Sequence, residues 1–276
     1  MKKTLIGIGG GLLVFGIVIA FSLTSRKEIQ PVRGGQEINL PEQTNAAVAD
    51  KETLEVLPNA EPIQARDLLK EKMLKATDPN ELKAIQKQIE ELNMDILFSP
   101  EIDECSLVYE VQPKDVLSRI AKKHETTVNL IKRANNLESD IIIPGQKLKV
   151  NKCSFSIVVD KSQNVLTLVQ NGEAVKKYIV STGADSSTPI GDFVIINKLE
   201  NPTWYKTGAV IPPDSPDNIL GTRWMGFDLK GFGIHGTTEP DKLGQQITLG
   251  CVRMKNEDVE EIYDIIPVGT EVIIVD

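Results

Sequence analysis

Histidine and cysteine are scarce in this chain, with only His124 and His235, and Cys105, Cys153 and Cys251, among 276 residues. Clustered basic charge is missing too: no block of Lys or Arg occurs, and the formal net charge is −8 at pH 7. That balance excludes nucleic acid as a partner held by a phosphate-neutralising surface. A polymer that is not strongly anionic fits better. The remaining composition, 41% hydrophobic and 25% charged, is ordinary for globular protein, and the length allows about two domains.

With so few candidates, the chemistry narrows quickly. A thiol attacks as thiolate, and an unassisted cysteine with a pKa of about 8.5 is mostly protonated at neutral pH, so a nucleophilic cysteine needs an imidazole nearby. His124 lies in Lys122-Lys123-His124-Glu125, read as an exposed helix face. His235 ends an apolar-flanked strand, Gly231-Phe232-Gly233-Ile234, and is followed by Gly236-Thr237. Cys251 stands in Thr248-Leu249-Gly250-Cys251-Val252-Arg253-Met254. Cys251 is therefore the candidate nucleophile and His235 its base, the bland alternative being a buried inert thiol.

One hydrophobic run breaks the ordinary pattern. After Met1-Lys2-Lys3, residues 5–23 carry no charge, and Arg26-Lys27 follow. At about 1.5 Å per residue the run spans roughly 28 Å, close to the ~30 Å hydrocarbon thickness. Residues 1–26 are expected to form an uncleaved membrane anchor, with a cleaved secretory signal as the rival reading. Either one exports the remainder to the cell envelope, with the folded part outside the cytoplasm.

His235-Gly236-Thr237, the spaced Thr248-x-Gly250-Cys251-Val252-Arg253-Met254, and the upstream Ser181-Thr182-Gly183 with Thr188-Pro189-Ile190-Gly191-Asp192-Phe193 resemble the L,D-transpeptidase (YkuD-like) family, over residues 154–276. Many members carry histidine immediately before the Gly-Cys pair, where this chain has Leu249. The resemblance implies that a backbone carbonyl at Gly236 orients His235. Backbone N–H groups around Gly250 and Cys251 are candidate oxyanion donors, each typically worth about 2.7–4 kcal/mol, and a glycine at 250 would let substrate approach the main chain. Arg253, two residues beyond Cys251 on a continuing strand, projects to the same side and suits a substrate carboxylate; a structural ion pair is the alternative. Thr248 joins it as a substrate-binding candidate.

The segment before this domain divides in three. Residues 27–62 are rich in Glu, Gln, Asn, Ala and Pro without periodicity, as in a flexible linker. Residues 63–104 carry two helical patterns, Leu68, Leu69 and Met73, then Leu82, Ile85, Ile89 and Leu92, with Asp78-Pro79 as the second start. They predict a helical hairpin, packed on a neighbour or binding a partner. Residues 105–153 read strand, helix, helix, strand, the first helix opening at Lys114 or Asp115. With Ser118-Arg119-Ile120-Ala121, Thr127-Val128, Ala134-Asn135 and Ile143-Pro144-Gly145-Gln146-Lys147-Leu148, that order resembles a LysM domain. The resemblance implies binding of N-acetylglucosamine-containing glycan by Pro113, Lys114, Asp115 and Val116, and by Asp140, Ile141 and Ile142. The family's Gly-Asp-Thr is here Lys114-Asp115-Val116. In that fold the first and last strands pair antiparallel, which brings Cys105 and Cys153 together and implies a disulfide, two unpaired buried thiols being the alternative. One histidine and one remaining cysteine then fall short of a four-ligand zinc site, so neither metal nor cofactor is expected.

Beyond residue 155, short β-like runs recur at 156–160, 165–169, 175–180 and 193–196, with turns at Ser162-Gln163-Asn164 and Asn171-Gly172. They predict a mainly β domain, a mostly antiparallel sandwich or partly closed barrel with one helix, at 257–266 after Asn256, and a last strand at 271–275 closing the sheet. Residues 201–224, rich in proline, are expected to form a loop wall over the cleft, with Trp204 and Tyr205 as substrate platforms or packing residues.

The two resemblances together imply a peptidoglycan enzyme whose substrates are stem peptides, and whose cysteine forms a thioester at the L-centre of a diamino acid, expelling D-alanine. Resolution by an amine makes it a transpeptidase, by water an L,D-carboxypeptidase. A non-catalytic cell-wall-binding protein is the reading from a different class.

Overall fold

The computed structural model describes residues 61–276 apart from Asp214. The expected membrane segment and all but the end of the linker lie outside the described residues. Among the described residues no helix is long and apolar enough to cross a membrane.

The hairpin consists of α1 (Pro62–Met73) and α2 (Pro79–Leu97). Asp78 caps α2, its carboxylate accepting from the N–H groups of Asn80 and Glu81, as its place before Pro79 suggests. Ile85 and Ile89, four residues apart on one face, bury against Leu69 of α1. The second helix runs a turn past the expected pattern, which ends at Leu92. That turn sends Met94 and Leu97 into the main core of the molecule.

The next module has the expected order: β1 (Ser106–Glu110), α3 (Leu117–Lys123), α4 (Val128–Ala134) and β2 (Lys147–Asn151). β1 and β2 pair antiparallel, from Ser106 opposite Asn151 to Glu110 opposite Lys147. Cys105 and Cys153, one residue before and two after these strands, are joined by a disulfide with Cα atoms 5.1 Å apart. Two expectations are corrected. The first helix opens at Leu117, because the Asp115 carboxylate is occupied in the preceding turn, accepting from the Gln112 N–H and the Tyr109 hydroxyl, both at 2.8 Å. His124 is not on an exposed helix face; it follows α3, half-buried, with its ring edge-on to Tyr109 at 5.6 Å.

The remaining chain builds β3 (Phe155–Asp160), β4 (Val165–Gln170), β5 (Glu173–Ile179), β6 (Thr182–Gly183), β7 (Gly191–Glu200), β8 (Trp204–Lys206), β9 (Ala209–Ile211), β10 (Arg223–Phe227), β11 (Gly233–His235), β12 (Gln246–Thr248), β13 (Val252–Arg253), α5 (Asn256–Ile265) and β14 (Glu271–Val275). Eight strands form one curled sheet in the order β13-β11-β10-β7-β14-β3-β4-β5. The expected sandwich or partly closed barrel takes the form of this one curled sheet with α5 packed on it, and the short pairs β6–β12 and β8–β9 stand apart from it. β14 runs parallel to β3 and β13 parallel to β11, so the sheet is mixed. The last strand does not close the sheet but lies inside it, between β7 and β3. Val272 and Ile274 are buried on its alternate positions, as in any strand with one face on the core. At the β4–β5 turn Asn171 and Gly172 both have positive φ, 51° and 82°, the left-handed pair that a tight hairpin requires.

Helix α5 carries Glu257 and Asp258 in its first turn, where the helix dipole favours negative charge, and buries Val259, Ile262 and Ile265. The residue at its cap is Lys255, whose side chain makes no capping bond. Asn256, expected to precede the helix, is instead its first residue, and its side-chain oxygen serves the N–H groups of Thr222 and Thr237 rather than the helix.

The parts share packing. Met94 and Leu97 of α2 and Leu130 of α4 belong to the same buried cluster as the sheet and α5. Asp264 of α5 accepts from the Asn129 side chain at 2.7 Å and pairs with Arg133 at 3.1 Å, while its backbone carbonyl accepts from the Thr127 hydroxyl. Lys149 of β2 reaches the end of α2, its ammonium donating to the carbonyls of Ile96 at 2.5 Å and Ser99 at 3.0 Å.

Candidate active site

β11 and β13 lie side by side and parallel, with Ile234 opposite Val252 and His235 opposite Arg253. Side chains alternate across a strand, so Ile234 and Val252 share one face and His235 and Arg253 the other. The first pair is wholly buried in the core. The second lines a cavity of about 400 Å³, together with Cys251, Trp204, Tyr205 and Leu249. Two short strands thus bring together a thiol, an imidazole and a guanidinium that are separated in sequence.

His235 is almost fully buried, with its ring stacked on Trp224 at 6.0 Å between centroids. Its Nδ1 lies 2.7 Å from the Gly236 carbonyl oxygen. A carbonyl only accepts, so the neutral ring carries its proton on Nδ1 and keeps a lone pair on Nε2. Burial pushes this imidazole down to about 4, opposed by the Gly236 carbonyl and reinforced by the Arg253 cation. Burial pushes the Cys251 thiol up to about 11, against the lowering effects of the Gly233 main chain and Arg253. The resting pair is therefore neutral thiol and neutral imidazole. The thiol donates to the Gly231 carbonyl at 3.5 Å.

Asn256 orders the turn that carries the histidine. Its side-chain oxygen accepts from the N–H of Thr237 at 3.0 Å and from that of Thr222 at 3.3 Å. From the sequence Asn256 reads only as a helix start, and this role is missed; its position shortly after the cysteine motif is the available signal. Trp224 reads as part of the loop wall, yet as the neighbour of His235 across β10 and β11 it forms the floor beneath the imidazole.

The other site candidates are placed as follows. Thr248 is buried, and its hydroxyl is engaged in its own turn, donating to the Cys251 carbonyl at 2.7 Å and accepting from the Gly250 N–H at 3.1 Å. Gly250 has φ of +125°, and a Cβ there would stand 2.6 Å from the Phe232 ring, so close packing demands this glycine. Arg253 is 7% exposed and pairs with Glu239 at 3.4 Å, and its Nε is buried without a partner. Trp204 and Tyr205 sit on a small β8–β9 hairpin, in place of the expected irregular loop, with Tyr205 exposed. In the βααβ module, Pro113, Lys114, Val116, Asp140 and Ile141 are exposed and Asp115 and Ile142 partly so.

Residues 154–274 match the L,D-transpeptidase catalytic domain (YkuD), and residues 109–151 match the LysM domain. The L,D-transpeptidase-family protein YqjB of Bacillus subtilis is 41% identical over 44% of this chain and 70% of its own length. The family member YkuD of Bacillus licheniformis is 32% identical over 60% of this chain and 97% of its own. Among solved structures, L,D-transpeptidase 3 from Mycobacterium tuberculosis aligns over 48% of this chain and 66% of that chain, at 18% identity and a TM-score of 0.39. The chain belongs to the YkuD family of L,D-transpeptidases, and it carries a LysM domain ahead of the catalytic one.

Proposed function

We propose that the protein is a peptidoglycan L,D-transpeptidase in which Cys251 is the nucleophile and His235 its base. The observation that carries this reading is the shared face of β11 and β13: thiol and imidazole open into one cavity, and Gly236 fixes the tautomer that leaves Nε2 able to accept a proton. Because both groups rest neutral, Nε2 takes the thiol proton as sulfur attacks the carbonyl of the stem's diamino acid. The imidazolium then gives that proton to the departing nitrogen of D-alanine, leaving a thioester. An acceptor amine attacks the thioester, losing a proton to Nε2 and restoring the thiol. The Cys251 N–H supplies an oxyanion donor, the Gly250 N–H being held by the Thr248 hydroxyl, and Arg253 takes a stem carboxylate. Trp204 and Tyr205 wall the stem's groove.

On this reading the LysM loops, with Pro113, Lys114, Asp115 and Val116 on one side and Asp140, Ile141 and Ile142 on the other, hold N-acetylglucosamine-containing glycan. The apolar run at residues 5–23 anchors the protein in the membrane, with the catalytic domain outside the cytoplasm.

The test is incubation with disaccharide-tetrapeptide, followed by mass spectrometry of protein and products. An acyl adduct on Cys251 with cross-linked dimer supports the reading. Tripeptide alone makes the enzyme an L,D-carboxypeptidase, and no adduct on folded protein makes it a binding protein.

A further inference from the structure

We propose that Glu239 sets the affinity of Arg253 for the donor stem, as the resting ion-pair partner that the stem's free carboxylate displaces. The inference rests on the reading of Arg253 as a carboxylate anchor. Arg253 lines the cavity beside Cys251 and is more than nine-tenths buried, yet its guanidinium is poorly used: Nε has no partner, and the contact from Nη1 to Glu239 is 3.4 Å. A well-formed charge-assisted bond is about 2.7–2.9 Å. Such a group gains more from an incoming carboxylate than it loses by leaving Glu239.

Glu239 is also able to let go. Its other carboxylate oxygen holds Lys242 at 2.6 Å, so it retains a counter-charge without Arg253. Its backbone is fixed, since the Glu239 N–H donates to the Thr237 hydroxyl at 2.9 Å and the Thr237 N–H donates to Asn256. Glu239 is thereby tethered to the turn that carries His235. Arg253, in turn, does not depend on Glu239 for its place: its N–H and carbonyl bond the carbonyl and N–H of Ser181, both at 2.8 Å, and its strand is held by β11. Competition for the guanidinium therefore outweighs any help in positioning it.

The experiment measures KM and kcat of the full-length protein for disaccharide-tetrapeptide, with Glu239→Gln, Arg253→Gln and the double variant. Arg253→Lys replaces Arg253→Gln if the latter does not fold. Glu239→Gln is expected to lower KM by about two- to fivefold, the scale of a screened, partly exposed ion pair, with the change in KM rather than kcat. The gain should shrink in high salt and vanish in the double variant. Donors amidated at the terminal carboxyl or at the diamino acid carboxyl identify which carboxylate is taken, because the gain disappears with that donor alone. An unchanged or raised KM in Glu239→Gln, or an equal fall without Arg253, overturns the proposal. If Arg253→Gln itself leaves KM unchanged, the carboxylate-anchor reading fails first; if it raises KM while Glu239→Gln does not lower it, only the role of Glu239 fails.

Discussion

A β-carbon on Gly236 would run into the side-chain oxygen of Asn256, the same atom that holds the N–H groups of Thr237 and Thr222. The residue after the histidine must therefore be glycine for a packing reason as well as for its carbonyl. Gly236→Ala should displace the turn and reduce turnover at least about tenfold, as misplacement of a base does. Asn256→Ala strips two N–H groups of their acceptor and should cost about 1–3 kcal/mol per group left buried. Thermal melting together with product formation checks both.

The neutral resting pair predicts a particular pH response. Iodoacetamide modification of Cys251 should accelerate with pH towards about 11, with no plateau around neutral pH. A plateau there would mean a preformed thiolate–imidazolium pair.

Stability should follow from the same two groups. His235 has a folded value near 4, below its ordinary 6.5, so the unfolded chain binds the extra proton first. Its contribution to stability is full above pH 6.5 and falls as pH drops towards 4, by on the order of 3 kcal/mol. For Cys251, whose folded value is raised, the unfolded thiol ionises first, and stability falls as pH rises from about 9 towards 11. Urea titrations across pH measure both limbs, and His235→Gln should flatten the acid one.

Much of this was legible in the chain. Motif spacing singled out Cys251 and His235, which the fold brings to one cavity; the Asp78-Pro79 start located a helix and Asn171-Gly172 a turn, because each depends on local chemistry. Sheet order was not legible. Placing β14 between β7 and β3 is a long-range choice, and nothing in the pattern of residues 271–275 separates an inner strand from an edge. The uses of Asn256 and Glu239 were hidden for a similar reason: both act on their partners across a stretch of chain, 19 residues in the case of Asn256 and Thr237.

Opening the Cys105–Cys153 bridge releases a loop with a sequence separation of 48. The chain-entropy value for such a loop is about 4 kcal/mol. Cys105→Ser with Cys153→Ser should lower the denaturant midpoint accordingly, while turnover on a soluble muropeptide below that midpoint persists.

Asp264 joins α5 to Asn129 and Arg133. Asp264→Ala should loosen the LysM module from the catalytic domain, raising protease sensitivity between them. Activity on long glycan strands should fall more than activity on an isolated muropeptide, a ratio that chromatography of the products reports.

Lys149 offers its ammonium to the Ile96 carbonyl in the last turn of α2 and to the Ser99 carbonyl just beyond it, from a different stretch of the chain. Modules that look like beads on a string are here mortised, one supplying the peg for the next. Transplanting the LysM segment into another protein, or swapping in a LysM with a different residue at this position, would leave the helical hairpin frayed at its end, so recombination among such architectures has to carry the joint along with the parts.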